Sequence, residues 1–232
     1  MHISAIVVAA GRGTRMDRET AKAFLPVGGV PMAAYSLRTV AAVPGLTSII
    51  LVVAAENQPA AAEMVERSAP WPIPIHIVAG GAERQDSVAA GLASVGASID
   101  LVIVHDAARP FVSLACVTAC VQAAASSGAA IVAVPAHDTV KQVGPDAVIT
   151  ATLDRRGIWL AQTPQVFRST LLRRAYTQAA RDGCIATDDA ALVERLGEKV
   201  RVVPGESTNR KITTPDDLRW AEWYLQHRDE AT

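Results

Sequence analysis

The sequence predicts an α/β fold: a mostly parallel central sheet flanked by helices. Three observations carry that prediction. Short apolar runs alternate along the chain with stretches of helical periodicity. The runs are continuously apolar, as strands buried on both faces tend to be. The chain has 232 residues, half of them hydrophobic, enough for one large α/β domain, so a single domain over 1–232 is expected.

Strands are expected in "ISAIVVA", "SIILVVA", "IPIHIVA", "DLVIVH" and "AAIVAVP". Helices fill the intervals near 31–42, 56–67, 84–95 and 113–127. Pro31 suits the first turn of the first helix, where an N–H has no intrahelical partner. Strand–helix repetition implies right-handed crossovers. After Pro135 the pattern changes. "DTVKQVGPDAVITATLDR" reads as two short strands around a Gly144-Pro145-Asp146 turn, a hairpin arm over about 136–156. Its Val140, Val143, Val148, Ile149 and Leu153 need cover, because a lone hairpin is marginal in water. Helical patterns return near 169–182 and 187–196. A strand near 199–203 and a helix from about 214 close the chain. Thr187 before Asp188 and Asp189 reads as an N-cap with negative charge in the first turn, in preference to a metal site.

The net charge of -1 leaves no global basic field to attract nucleic acid, so any cationic site is local. Cys116, Cys120 and Cys184 form no disulfide framework or CxxC pair, and Cys116 and Cys120, on one helix face, read as small buried thiols in preference to a metal pair. The N-terminus has no signal pattern, and no apolar stretch approaches the roughly 20 residues of a membrane span. A cytoplasmic location is expected.

In open parallel sheets, ligands bind beyond the carboxyl ends of the strands. Three loops start there. The first, "VVAAGRGTRM", combines Gly11 and Gly13 with Arg15, and Lys22 follows. It fits neither GxxxxGK[ST] nor GxGxxG, whose third glycine would fall on Met16. Its glycines can bring backbone amides against phosphate oxygens while Arg15 and Lys22 add full charges. A triphosphate would reward both features; a solvated loop with incidental cations is the alternative. The second, "AGGAERQDSV", again exposes backbone at Gly80 and Gly81, and Ser87 opens a helical pattern; a capped helix after a flexible turn is the plainer reading. The third, "VHDAARPF", places Asp106 where it can hold Mg²⁺, a hard cation that prefers oxygen. Arg109 can meet a second anion there. His105 reads as an orienting or packing residue, not a base. Lys211, in "STNRKITTPDD", would alone be a surface lysine.

Together these stretches carry a resemblance. "AAGRGTRM" with "KAFLPVGGVPM" looks like the signature of the sugar-phosphate nucleotidyltransferases. "GGAERQDSVAAGL", "VHDAARPF", "DTVK", "LDRRGIWLAQTPQVF", "TDDAALVERLG" and "NRKITTPDDL" narrow it, and from Ile3 to about Leu225 the chain resembles the 2-C-methyl-D-erythritol 4-phosphate cytidylyltransferase family of the non-mevalonate isoprenoid pathway. The resemblance implies a Rossmann-like nucleotidyltransferase fold with a protruding β-hairpin dimerisation arm, hence a homodimer. It implies that CTP and a sugar-alcohol phosphate, 2-C-methyl-D-erythritol 4-phosphate, are joined with release of pyrophosphate. Arg15 and Lys22 are then the transition-state stabilisers, and Arg155 and Lys211 position the sugar phosphate. Ala9, Ala10, Gly11 and Gly13, with Gly80, Gly81 and Ser87, hold the nucleotide. Arg109, Thr139 and Thr163 lie around the sugar phosphate, and Asp106 around the metal, Mg²⁺. No second enzymatic domain follows within the 232 residues, so the monofunctional form is expected. Two rivals are a ribitol-5-phosphate cytidylyltransferase, which shares most of these motifs, and a nucleotide-binding regulator without catalysis, against which Arg15, Lys22, Asp106 and Lys211 argue.

Overall fold

A computed structural model describes residues 1–11 and 22–228, and statements about the structure refer to these. Gly13 and Arg15 lie outside them. A seven-stranded sheet forms the centre. It is built from β1 (Ile3–Val8), β4 (Leu46–Val53), β5 (Ile75–Ala79), β6 (Leu101–Asp106), β7 (Ala129–Pro135), β10 (Trp159–Arg168) and β11 (Arg201–Pro204), in the spatial order β11-β7-β10-β6-β1-β4-β5. All neighbours pair in parallel except at β10, which runs antiparallel to both β6 and β7. Two short hairpins stand apart: β2 (Pro26–Val27) with β3 (Val30–Pro31), and β8 (Lys141–Val143) with β9 (Ile149–Thr152).

The continuous apolar runs follow from cover on both faces. On β1, Ile3, Ala5 and Val7 enter one core and Ile6 the other; on β4, Ile49, Leu51 and Val53 oppose Ile50 and Val52. The first face packs against α1 (Met32–Ala41), α2 (Gln58–Arg67) and α4 (Leu114–Ser127), through residues such as Leu37, Met64 and Val121. The second packs against α3 (Arg84–Ala93), α5 (Ser169–Asp182) and α6 (Asp189–Glu194), through Val88, Leu172 and Leu192. α7 (Pro215–His227) closes a smaller cluster of Val27, Met32, Ile212 and Ala221. Cys116 and Cys120 are buried in the first core, and burial pushes the Cys116 thiol up to about 11, as suits packing residues.

Most expected elements form, with three differences. β10 has no counterpart in the sequence reading. Its "AQTPQVF" carries Pro164 and three polar side chains, so neither an apolar run nor a period of two marks it. The ladder to β7 is interrupted between Ala161 and Gln165, where Pro164 has no N–H to give. Second, the N-cap of α6 is Asp188, not Thr187: the Asp188 carboxylate accepts from the Ala191 amide at 3.0 Å. Third, α3 starts at Arg84, so Ser87 lies inside the helix rather than opening it.

The hairpin arm forms as read, and Val143, Val148 and Ile149 are each more than half exposed. At the opposite extreme is Gly91 on α3. A Cβ there would stand 2.7 Å from Ile6 Cγ2 and 2.9 Å from Val52 Cγ2, so the helix touches the sheet only because position 91 has no side chain. Gly91→Val should therefore cost about 2 kcal/mol by overpacking, lowering the melting temperature by roughly 4–8 °C for a chain of this size. A circular-dichroism melt that matches the unsubstituted protein would contradict this packing.

Candidate active site

Beyond the carboxyl ends of β1, β4, β5 and β6 lies a cavity of about 570 Å³. Ala9, Ala10, Gly11, Lys22, Gly80, Gly81, Ser87, Asp106 and Lys211 all line it. The three loops singled out in the sequence therefore meet with the C-terminal segment at one place, as expected of a parallel sheet.

The two sides differ in character. One is tight and built mostly of small residues, with Glu56 and Glu83 among its lining. A Cβ on Gly80 would sit 2.6 Å from Ser87 Oγ and 2.8 Å from Ala10 Cβ, so glycine is required by close approach. Of the backbone expected to be exposed at Gly80 and Gly81, the amides are already used within the protein. The Gly80 N–H donates to the Val53 carbonyl at 2.7 Å and the Gly81 N–H to Ser87 Oγ at 3.2 Å. The Ala9 N–H is likewise given to the Val52 carbonyl. Gly11 is open, with nothing within 4 Å of where a Cβ would be.

The other side is charged. β6 ends in Asp106, whose carboxylate is almost wholly buried. Arg84 Nε donates to its Oδ1 at 3.1 Å, and Lys211 Nζ to its Oδ2 at 2.7 Å. Burial raises the carboxyl's pKa, but Arg84 and then Lys211 outweigh it and hold the group well below the usual carboxylate range. Arg84 also reaches Asp189 Oδ2 at 2.9 Å, and Asp189 is fully buried. Arg84 was not singled out from sequence. It stands within "GGAERQDS", and the signal that could have found it is a cation on the first turn of a helix leading from a ligand-facing loop.

Lys211 is delivered by a pinned strap. Asn209 is buried and donates from Nδ2 to Gln162 Oε1 and to the Thr163 carbonyl. The Ile212 amide donates to the Ala108 carbonyl at 2.8 Å. Thr214 caps α7 and forms a reciprocal box with Asp217. The ammonium is thus fixed at both ends of a short segment.

Four expected sugar-phosphate residues do not reach the cavity lining in this chain. Thr163 is buried, and its Oγ1 accepts from the Asp106 amide at 3.0 Å and meets His105 Nδ1 at 3.1 Å; it orients Asp106. Arg109 gives its guanidinium to the Asn209 and Ala161 carbonyls, steadying the strap. Thr139 is exposed beside the arm. Arg155, in a 3-10 turn at the arm's base, donates to the His137 carbonyl and is also exposed. His105 packs as expected, with Nε2 against the Arg109 carbonyl and no exposure.

A family model described as 2-C-methyl-D-erythritol 4-phosphate cytidylyltransferase matches residues 3–227. The chain belongs to this family. A relative of that name from Syntrophus aciditrophicus is 45% identical over 98% of this chain and 97% of its own length. Another, from Symbiobacterium thermophilum, is 47% identical over 97% of this chain and 93% of its own. The crystal structure of 4-diphosphocytidyl-2C-methyl-D-erythritol synthase from Anaerococcus prevotii superposes with a TM-score of 0.86 at 33% identity, covering 97% of this chain and 98% of that one. The protein is a transferase, a cytidylyltransferase of isoprenoid biosynthesis, and its α/β sheet is the family's. Among the described residues no helix is long and apolar enough to cross a membrane.

The buried imidazole gives this cytidylyltransferase a pH signature. Burial lowers the His105 pKa from its ordinary 6.5 to about 4, against the pull of Asp106. Between those values the unfolded chain takes up a proton that the folded one refuses, so stability falls with pH across that window, by about 3 kcal/mol in all. Urea unfolding at pH 7 and pH 5 should show the loss, and His105→Asn should flatten it. Equal pH slopes in both proteins would remove His105 as the cause.

Proposed function

We infer that the protein transfers the cytidylyl group of CTP to 2-C-methyl-D-erythritol 4-phosphate and releases pyrophosphate. One observation supports this most: Lys22, Asp106 and Lys211 meet the small-residue loops on a single cavity at the carboxyl end of the sheet. A cavity with cations on one side and close-packed backbone on the other suits a nucleoside triphosphate facing a second phosphate. A cytoplasmic location goes with this reading, since its nucleotide substrate is an intracellular metabolite.

An oxygen of the sugar phosphate attacks the α-phosphorus of CTP. The new P–O bond forms in line with the breaking bond to the β-phosphate, and pyrophosphate departs. The nucleophile is already an anion, so no general base is needed, in keeping with a neutral, buried His105. The obstacle is the meeting of two anions, and fixed cations lower it without reorganising during the step. Lys22 and Arg15 act on the charge growing around the α-phosphorus. Lys211 and Arg155 hold the attacking phosphate, an orientation effect. The nucleotide lies over Ala9, Ala10, Gly11 and Gly13 and against Gly80, Gly81 and Ser87. A main-chain carbonyl near Gly80 accepts from the exocyclic amine of cytosine; uracil would leave it unpaired, at about 1–3 kcal/mol.

The residues present fit Mg²⁺. The ion commonly takes one or two carboxylates and completes its shell with substrate phosphates and water. Asp106 lines the cavity with one ionised carboxylate, whose Oδ2 comes free for the ion when Lys211 turns to a phosphate. Bound there, Mg²⁺ would neutralise charge on the triphosphate.

Pyrophosphate release from CTP should be rapid with the methylerythritol phosphate and at least roughly tenfold slower with ribitol 5-phosphate, should stop in excess EDTA, and should return with Mg²⁺. In the same assay Lys22→Ala should lower kcat by about a hundredfold or more with little change in the KM for CTP, because its charge is needed most in the transition state. A faster reaction with ribitol 5-phosphate, or a Lys22→Ala defect confined to KM, would overturn this assignment.

The exposed valines and isoleucine of the arm suit a homodimer in which the arms cross. Thr139 and Arg155, outside this chain's cavity lining, would then serve the partner's site. Mixing Lys22→Ala with Arg155→Ala subunits tests it. A mixed dimer has one site with both defects and one with neither. With random assortment about half the dimers are mixed, so roughly a quarter of normal activity should return. Co-refolded dimers no more active than the parents would place Arg155 on its own subunit's site.

A further inference from the structure

A line of polar contacts runs from behind the cavity wall to its lining, and its inner members, Tyr176 and Asp189, are left unused by the reaction scheme. Tyr176 on α5 donates its hydroxyl to Asp189 Oδ1. Asp189, at the start of α6, accepts Arg84 NH2 on Oδ2 at 2.9 Å. Arg84 Nε donates to Asp106 Oδ1 at 3.1 Å, and Lys211 Nζ takes Asp106 Oδ2 at 2.7 Å. The signs alternate along the line: Asp189, Arg84, Asp106, Lys211.

The detail that matters is how Arg84 is used. Nε–H and one terminal NH2 lie on the same edge of a guanidinium and form a fork matched to both oxygens of a single carboxylate. Here that fork is split, one prong on Asp106 and the other on Asp189. A closed fork on Asp106 would engage both of its oxygens and compete with Lys211. Asp189 prevents this by holding NH2, and Tyr176 occupies the remaining Asp189 oxygen, so that only Oδ2 faces Arg84.

We propose that Asp189, oriented by Tyr176, is a positioning residue that keeps the Arg84 fork split and so reserves one oxygen of Asp106 for Lys211. This rests on the reading of Lys211 as the cation that meets the sugar phosphate. The arrangement holds the Lys211 ammonium at the cavity before substrate arrives. It also leaves Asp106 with a permanent partner in Arg84 when Lys211 turns to a phosphate.

The test reads Lys211 directly. An amine-reactive ester labels lysines at rates that peptide mass spectrometry resolves, with exposed Lys199 as the internal standard. In Asp189→Asn the fork closes on Asp106, and Lys211 should label about fivefold faster relative to Lys199, the worth of one half-exposed ion pair. Its KM for the sugar phosphate should rise by a similar factor, while CTP affinity, measured without the second substrate, stays within about twofold. In an Arg84→Lys background no fork exists, so Asp189→Asn should then leave Lys211 labelling unchanged. Should Asp189→Asn not fold, the pair Tyr176→Phe with Asp189→Leu removes the clamp and orphans neither a tyrosine hydroxyl nor a carboxylate behind the sheet. Unchanged Lys211 labelling in a folded variant, or the same rise in the Arg84→Lys background, overturns the proposal. Labelling needs no turnover. An unsubstituted enzyme that fails to use the sugar phosphate would sink the proposed function alone, and the labelling result would still decide the role of Asp189.

Discussion

A carboxylate buried at the end of a central strand is the constraint on which the site depends. Asp106 cannot stay ionised there without compensation, and its compensation comes from two segments remote in sequence: Arg84 on the first turn of α3 and Lys211 on the C-terminal strap. Arg84 is the more enclosed of the two partners, and losing it would leave a buried carboxylate short of its compensation, the costly case for an ionised group away from water. The need to neutralise Asp106 therefore also fixes where α3 begins and where the strap crosses the sheet. Thr163 and His105 set the carboxylate's main chain from behind, and Asn209 fixes the strap to Gln162 and Thr163.

The opposite side of the cavity is set by volume. Gly80 brings the loop after β5 against Ala10 and Ser87 at a distance no side chain would allow. Its amide is used in holding β4, so the loop offers shape and carbonyl oxygen more than N–H donors. The result is a site with one wall of close-packed small residues and one wall of paired charges. Such preorganisation lets a transferring phosphoryl group meet its counter-charges without moving them.

β10 links the site to the arm. It is the one antiparallel strand of the sheet, and it enters the sheet directly from the 3-10 turn that carries Arg155. Where its ladder to β7 is broken, between Ala161 and Gln165, Gln162 and Thr163 turn their side chains to the strap and to Asp106. The same irregularity that interrupts pairing thus steadies the strap and the main chain of Asp106.

The sequence by itself determined the layered α/β class, the five apolar strands, the arm, the family and most of the cavity lining. Each of these rests on local signals: continuous apolar runs, a Gly-Pro-Asp turn, glycines after strands. Tertiary structure alone decided which side chains are already spent. Thr163 and Arg109 look like ligand groups in a string of letters, yet their hydrogen bonds go to Asp106, His105 and main-chain carbonyls. Arg84, an ordinary helix-surface arginine in sequence, becomes a bridge between two buried carboxylates. β10 was hidden because a strand held between two others on the strength of their edges needs no apolar pattern of its own. The physical reason is common to all three. Burial and pairing of polar groups are set by partners tens of residues away, and no local period carries that information.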